Sequence, residues 1–392
     1  MIWAALLIPL AAIVLVAIKF PKRMNIIEYG VLLVVPIVCI AVGKGCSVYS
    51  QTKDTEYWNT YAVKCLYEER WKEEWREKHT ETTTDSKGKT HTRTYWTTET
   101  ENHPECWTIT DNMGGKFSVG RQTFDHMCKL WGNRTFKEMD RRHTSPNRME
   151  TSHKILIDGD GYETVYDKLF EHTIPICKQH TYENRIQCSK SVFNFRDVPP
   201  DVVSTYKLFS YPNENLYSFN PILGHENAEA SKLLSFHNAH NGATRQIHMM
   251  LLVFNGQPQE AALFQEAYWK GGNKNEFVVC VGLKGNAIDW TYVISWTDKQ
   301  ELKIKAARDI KEMREFDAVK VAKYMGENIP KQFVRKQFAD FSYIKVRPTM
   351  KAIIITFIIT LVVTGGLTTY SVMNQHDFGT VLNRRRNRYG RF

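Results

Sequence analysis

Three stretches with almost no side-chain charge decide what this chain can become. Residues 2–18 are apolar throughout, residues 26–42 carry a single carboxylate, Glu28, and residues 352–373 carry no charge. A helix of this length crosses a hydrocarbon layer about 30 Å thick, where every backbone polar group must be satisfied within the segment. Three membrane-spanning helices are therefore expected, with residues 44–349 forming one large segment outside the bilayer. A cleaved signal peptide is the alternative for the first run. It fits less well, because the positive charges follow the run instead of preceding it.

Those charges set the expected topology. Lys19, Lys22 and Arg23 lie between the first two runs, and Arg384, Arg385, Arg386, Arg388 and Arg391 follow the third. Cytoplasmic flanks are enriched in Lys and Arg. One arrangement satisfies both places: N-terminus outside, short loop inside, residues 44–349 outside (periplasmic or lumenal), basic tail inside. The same residues account for most of the net charge of +10. Without them and Lys351, residues 44–349 hold 43 Lys and Arg against 40 Asp and Glu. The basic excess thus points to a lipid membrane with anionic head groups, and not to nucleic acid.

Of the eight cysteines, Cys39 falls in the second span and Cys280 in the apolar run FVVCVG, where a buried thiol is expected. Cys46, Cys65, Cys106, Cys128, Cys177 and Cys188 supply enough thiols for three disulfides in an oxidising compartment, with Cys177–Cys188 the favoured pair. Zinc ligation is the competing use, since His126 lies near Cys128, and His103 and Glu105 near Cys106. No CxxC spacing supports it.

The predicted fold class is α+β: an integral membrane protein with three transmembrane helices and a large exterior domain. Residues 1–43 hold two spans and a short loop, 44–197 a Thr- and aromatic-rich β subdomain, 198–224 a Pro-containing connector, and 225–349 an α/β subdomain. Residues 350–373 form the last span and 374–392 the tail. In the β part, residues 57–75 show both helical and alternating spacing, and a strand running into a twisted arm is preferred. Threonine-rich residues 80–84 and 90–98 flank Asp85-Ser86-Lys87-Gly88, the pattern of a solvent-facing hairpin. Residues 124–139 read as a short helix, with Asn133-Arg134-Thr135 a glycosylation sequon in a eukaryotic host. Residues 154–167 alternate around Gly turns; Asp158 and Asp160 lack the rest of a calcium loop, so a hairpin turn is expected.

The α/β part is organised around residues 246–296. Apolar runs at 249–254, 277–281 and 288–296 read as buried strands. Between the first two, Pro258 opens a helix with Ala261, Phe264, Ala267 and Tyr268 on one face, stopped by Gly271 and Gly272. A helix is expected over 226–239, ending at Asn241-Gly242. Residues 301–325 are helix-rich, Pro330 interrupts, and residues 338–346 are partly strand-like.

Catalytic signatures are sparse. No nucleophile–base motif appears, and Gly271-Gly272-Asn273-Lys274-Asn275 lacks the spacing of a phosphate loop. His225, His237, His240 and His248 cluster in sequence near a Glu without HExxH spacing, so they read as surface or core histidines. Asp289 and Asp298 bracket the third strand and are the candidate ligands for a divalent metal. Trp269, Asn273, Asn275, Trp290 and Trp296 are the candidate binding residues, as aromatic and amide groups suited to protein contacts. No catalytic residue and no cofactor are assigned. The expected partners are the membrane and either an envelope protein or a second copy of the chain.

The segments DTEYWNTYAVKCLYEE (54–69), YWKGGNKNEFVVCVGL (268–283) and WTYVISWT (290–297), followed by an apolar span, resemble a group of phage-encoded membrane proteins. That resemblance implies a role at the envelope of an infected bacterium. The order of elements in 246–325 is also similar to TPM domains, α/β domains often tethered outside a membrane, some of them phosphatases with metal-binding acidic residues. It implies a metal-dependent hydrolase as the alternative, with Asp289 the nearby acidic residue.

Overall fold

The computed structural model describes residues 2–20, 24, 26–84, 88–139, 141, 153–189, 197–212 and 220–374. The basic loop at 21–23, the hairpin tip at 85–87 and the tail from 375 lie outside the described residues. The chain begins with a short 3-10 turn, Ile2–Leu6, continued by helix α1, Leu7–Lys19, and then α2, Ile26–Thr52. At 1.5 Å per residue α2 is about 40 Å long, which exceeds the hydrocarbon layer.

Strand β1, Lys53–Glu68, follows α2 without a loop. After it come β2, Trp71–Thr84, β3, Thr90–His103, β4, Cys106–Asp111, and β5, Lys116–Val119. Helix α3, Arg121–Trp131, stops where Gly132 turns left-handed at φ 67°, so the helix expected to reach residue 139 is shorter. Strands β6, Thr135–Lys137, β7, Lys154–Ile157, β8, Gly161–Val165, and β9, Pro175–Glu183, complete this part. One sheet runs β5-β4-β1-β8-β6, with β9 also on β1; a second runs β3-β2-β7. The expected hairpin over 154–167 is therefore not formed, because β7 and β8 join different sheets. Each pairs with the half of the β1–β2 stretch on its own side of Arg70, so residues 158–160 cross between sheets where Glu69 and Arg70 do, and the Glu69 N–H donates to the Asp160 carbonyl. Ile109, Phe124, Met127, Trp131 and Ile176 fill the core beneath β1.

The α/β part opens with the short helix α4, Pro200–Thr205, and strand β10, Ile222–Leu223. It continues through α5, Ala228–Arg245, β11, His248–Asn255, α6, Glu260–Tyr268, β12, Glu276–Lys284, and β13, Ala287–Ile294. Helices α7, Gln300–Lys311, and α8, Ala318–Gln332, follow. The sheet runs β10-β11-β12-β13, parallel except for β13. Side chains alternate across a strand, so Met249, Leu251 and Val253 face α5, α7 and α8, whereas Met250, Leu252 and Phe254 face α4 and α6. Continuous apolar runs are what a sheet covered on both faces requires. Pro330 does not interrupt α8, which continues to Gln332, and residues 338–341 form a 3-10 turn instead of a strand.

Residues 56–180 and 195–336 make up one compact unit. Within it the β part and the α/β part meet along a polar seam. Asn59 Nδ2 lies 2.7 Å from His248 Nδ1, Asn275 donates to the Tyr57 carbonyl at 2.8 Å, and His240 stacks on Tyr61 at 4.5 Å. Glu56, fully buried, accepts from Arg335 at 2.5 Å, Trp58 at 3.0 Å and His180 at 3.1 Å. Helix α5 runs past its expected end because Gly242 lets the Asn59 backbone approach it: a Cβ there would lie 2.0 Å from the Asn59 carbonyl oxygen.

The second unit comprises residues 1–55, 181–194 and 337–392, and its last described element is helix α9, Met350–Asn374. Its three long helices are each apolar and long enough to cross a membrane. Ile2, Ala5 and Ile40 pack with Ile353 and Phe357, and Val16, Met24 and Leu32 pack with Leu367 and Val372. Thr356, Thr360 and Thr364, one turn apart, turn a buried face inward, and a Cβ at Gly43 would lie 2.4 Å from Thr356 Oγ1. Small residues that let helix backbones approach closely are the usual means of helix contact without a hydrophobic drive. Above the helices, Gln51 donates to the Arg347 carbonyl, the Thr349 N–H to Ser47 Oγ, and Asp54 accepts from Tyr182 and Asn184.

Candidate functional site

Four of the five candidate binding residues face inward, and Trp296 is half-buried. Trp269, Asn273, Asn275 and Trp290 are buried. Trp269 donates to the Phe209 carbonyl, Trp290 to Gln257, and Trp296 to Gly272. Asn273 serves the fully buried Glu276 through both its backbone N–H and its side chain, and Tyr211 donates to the same carboxylate. Burial pushes the Glu276 carboxyl above its ordinary range, against the bonds from Tyr211 and Asn273 that favour the anion. These groups hold the Gly271–Asn275 loop against the sheet. Asp289 and Asp298 are exposed and separated by the length of β13, and Asp298 is paired with Lys336 at 2.9 Å. The structure does not bring them together.

Of the four histidines near α5, His237 and His240 lie together against Phe170, whereas His225 and His248 have separate partners. His225 packs edge-on to Phe316, His237 lies against Phe170 and Gly326, His240 pairs with Thr173, and His248 with Asn59. All eight cysteines are thiols, contrary to the expected disulfides. Cys65 and Cys128 pack in or against the apolar core around β1, Cys46 lies exposed on α2, and Cys188 donates to the Gln51 carbonyl. Cys106 donates to Glu68 at 3.2 Å; burial first, and then this carboxylate, push its thiol up to about 11. Cysteine usage therefore gives no support for an oxidising compartment. Asn133 donates to the Trp131 and Val165 carbonyls, a use of its amide nitrogen that a glycan would disrupt.

What stands out from the fold is the β2–β3 arm. The two strands pair over their whole length, Trp71 with His103 through Thr84 with Thr90, whereas β7 covers only Lys72, Glu73 and Glu74. Fourteen residues of strand extend roughly 45 Å. Residues 80–84 and 90–94 are exposed on both faces. A two-stranded ribbon gains little stability of its own. Here threonines and mixed charges keep the exposed edges from pairing indiscriminately. Farther in, His79 stacks on Tyr95 and meets Thr97 Oγ1 at 2.8 Å, beside the exposed Trp96.

At the arm's root the sequence alternation gathers ionisable groups. Glu73 lies opposite Glu101, and Trp71 opposite His103, on one face of the ribbon. Glu73 is 2% exposed. His103 Nε2 lies 3.0 Å from its Oε1 and His153 Nε2 2.7 Å from its Oε2. Ligand atoms of Glu73, Glu101 and His103 lie within 4.8 Å of one another, the one such group among the described residues. The His103 ring stacks on Trp71 at 3.8 Å, and Arg141 covers that indole while donating to the Gly159 carbonyl. Of these groups only His103 was singled out as a donor by sequence, beside Cys106. The alternation Glu101-x-His103 signals a shared face, but Glu73 and His153 lie too far along the chain to be joined to it.

No family model, curated protein or solved structure matches this chain.

Proposed function

We propose that this chain is a membrane-anchored interaction protein that holds residues 44–349 on the outer side of a membrane. In this reading it is phage-encoded and acts at the host envelope, where the β2–β3 arm contacts an envelope protein or a second copy of the chain. The observation that carries it is the arm: a long two-stranded ribbon whose far end is exposed on both faces. The three apolar helices and their basic flanks support the anchoring and the orientation. A hydrolase of TPM type is the weaker reading, because Asp289 and Asp298 stand apart.

A photo-crosslinking residue placed at Trp96 or Thr92 in cells, followed by purification and mass spectrometry, tests the reading. One stoichiometric envelope partner, or a specific self-crosslink, is expected. Crosslinks scattered over many proteins would sink it. Orientation is checked by introducing a cysteine at Thr92 and labelling with a membrane-impermeant maleimide. Labelling is expected once the outer permeability barrier is opened, and labelling only after the inner membrane is broken would invert the topology.

A further inference from the structure

Taking the arm as the contact surface proposed above, we infer that its occupant is a second copy of this chain. The two β3 strands pair antiparallel, edge to edge, about a two-fold axis at Trp96. Strand β3 is the outer strand of its sheet, so among the described residues no strand lies along its far edge. Such an edge is a template for another strand, and proteins usually blunt it with lysine, proline or a bulge. The residues of β3, THTRTYWTTETENH, include no lysine or proline, and the pairing with β2 runs from His103 to Thr90 without a register shift. Near the middle of this unbroken edge Trp96 stands 41% exposed.

The charges on β3 select the partner and its register. His91, Arg93, Glu99 and Glu101 share one face of the strand, and threonines, Trp96 and Asn102 make up the other. Centred on Trp96, antiparallel pairing puts Arg93 of each copy opposite Glu99 of the other, and His91 opposite Glu101. On the other face Thr92 meets Thr100, Thr94 meets Thr98, and the two Trp96 side chains meet each other. Opposite charges, threonine pairs and aromatic pairs are the favourable combinations directly across a ladder. This is the one register in which both carboxylates of β3 meet a basic residue of the other β3. Centred on Tyr95 the pairing sets Arg93 against Thr97, and centred on Thr97 it sets Glu99 against Tyr95. Partners within the same arm are kept: Arg93 already faces Glu81 of β2 and would sit between it and Glu99 of the second copy. Pairing from Thr90 to Asn102 forms roughly a dozen backbone hydrogen bonds. Two ribbons thereby become a four-stranded sheet, which has the independent stability that a two-stranded ribbon lacks.

The test is disulfide trapping in the full-length protein in detergent, with copper phenanthroline as oxidant and the wild type, with its exposed Cys46, as background. Cα atoms directly opposite on antiparallel strands lie about 4.5–5.5 Å apart, within disulfide reach. Trp96→Cys should therefore form a covalent dimer. Thr94→Cys and Thr98→Cys should each stay uncrosslinked alone and crosslink when mixed. A charge exchange reads the same contact without a thiol. Arg93→Glu should weaken dimerisation in analytical ultracentrifugation by about tenfold or more, and adding Glu99→Arg to it should restore the dimer. A loss that acts only through the Glu81–Arg93 pair of one arm would not be restored, and would overturn the contact. A dimer trapped by Thr94→Cys alone would overturn the register, and no trapped dimer at any of the three positions would overturn the second copy as occupant. In that case a photo-crosslinker at Trp96 that captures one envelope protein leaves the arm as the contact surface, whereas scattered capture removes that reading as well.

Discussion

Replacing Gly242 by alanine sets two effects of opposite sign against each other. In a helix interior alanine is favoured over glycine by about 0.8–1.0 kcal/mol. At this position, however, the new methyl would lie 2.0 Å from the Asn59 carbonyl oxygen, 2.7 Å from its carbon and 2.8 Å from Asn59 Cβ. Backbone cannot swing aside as a flexible side chain does. Overpacking of this kind costs typically 1–3 kcal/mol and more where the neighbour is rigid. Moving Asn59 also strains its contact with His248 and the adjacent Tyr61–His240 stack. The clash wins, and the net loss is about 1–2 kcal/mol. For a unit of this size that corresponds to a fall in Tm of about 2–6 °C. Differential scanning fluorimetry of the full-length protein in detergent is the assay. A Tm equal to or above that of the wild type would mean that the seam between the β part and the α/β part is loose there, and the close-approach reasoning would fail.

Arg335→Met removes the strongest donor from the fully buried Glu56 and should cost about 3 kcal/mol, read by chemical denaturation; an unchanged midpoint would show that Lys274 and His180 suffice. His237 and His240 are held below the ordinary imidazole value, in both cases chiefly by burial. A depressed imidazole binds fewer protons in the folded state, so its stability contribution is full above pH 6.5 and lost as pH falls through the folded value. Melting temperatures should therefore drop between pH 7.5 and 5.5, and His240→Gln should flatten that slope. In the membrane unit, Gly43→Ile should push α2 away from Thr356 of α9 and lower the thermal stability by several degrees. A variant as stable as the parent would place the helix contact elsewhere.

The elements most legible in the sequence are those whose signal is local. The runs at 249–254 and 277–281 are apolar at every position because the sheet is covered on both faces, and no other element of that length reads so. The Thr-rich arm is announced by its alternation and by the flanking turn residues. What escaped the sequence depends on partners far along the chain. Asn241-Gly242 carries a stop signal for a helix, yet the helix continues, because the glycine is spent on the approach of Asn59 from another sheet. Residues 154–167 alternate like a hairpin, but β7 and β8 answer to different strands on either side of Arg70. Trp269, Asn273 and Asn275, taken as binding candidates, turn inward: Trp269 meets the Phe209 carbonyl, Asn273 holds Glu276, and Asn275 donates to the Tyr57 carbonyl. The root cluster needed Glu73 and His153, eighty positions apart, to be seen on one face.

The collar above the membrane helices has a consequence for how the protein is made. Its hydrogen bonds join Gln51 to Arg347 and Ser47 to Thr349, pairs separated by 296 and 302 positions. A ribosome completes α2 early and reaches α9 only after residues 56–336 have been synthesised. Until then Ser47 and Gln51 lack Thr349 and Arg347, and α1 and α2 lack the α9 residues they pack against. A chain stopped anywhere between residues 56 and 346 has Ser47 and Gln51 but neither Arg347 nor Thr349, so the collar closes only once residue 349 has been made.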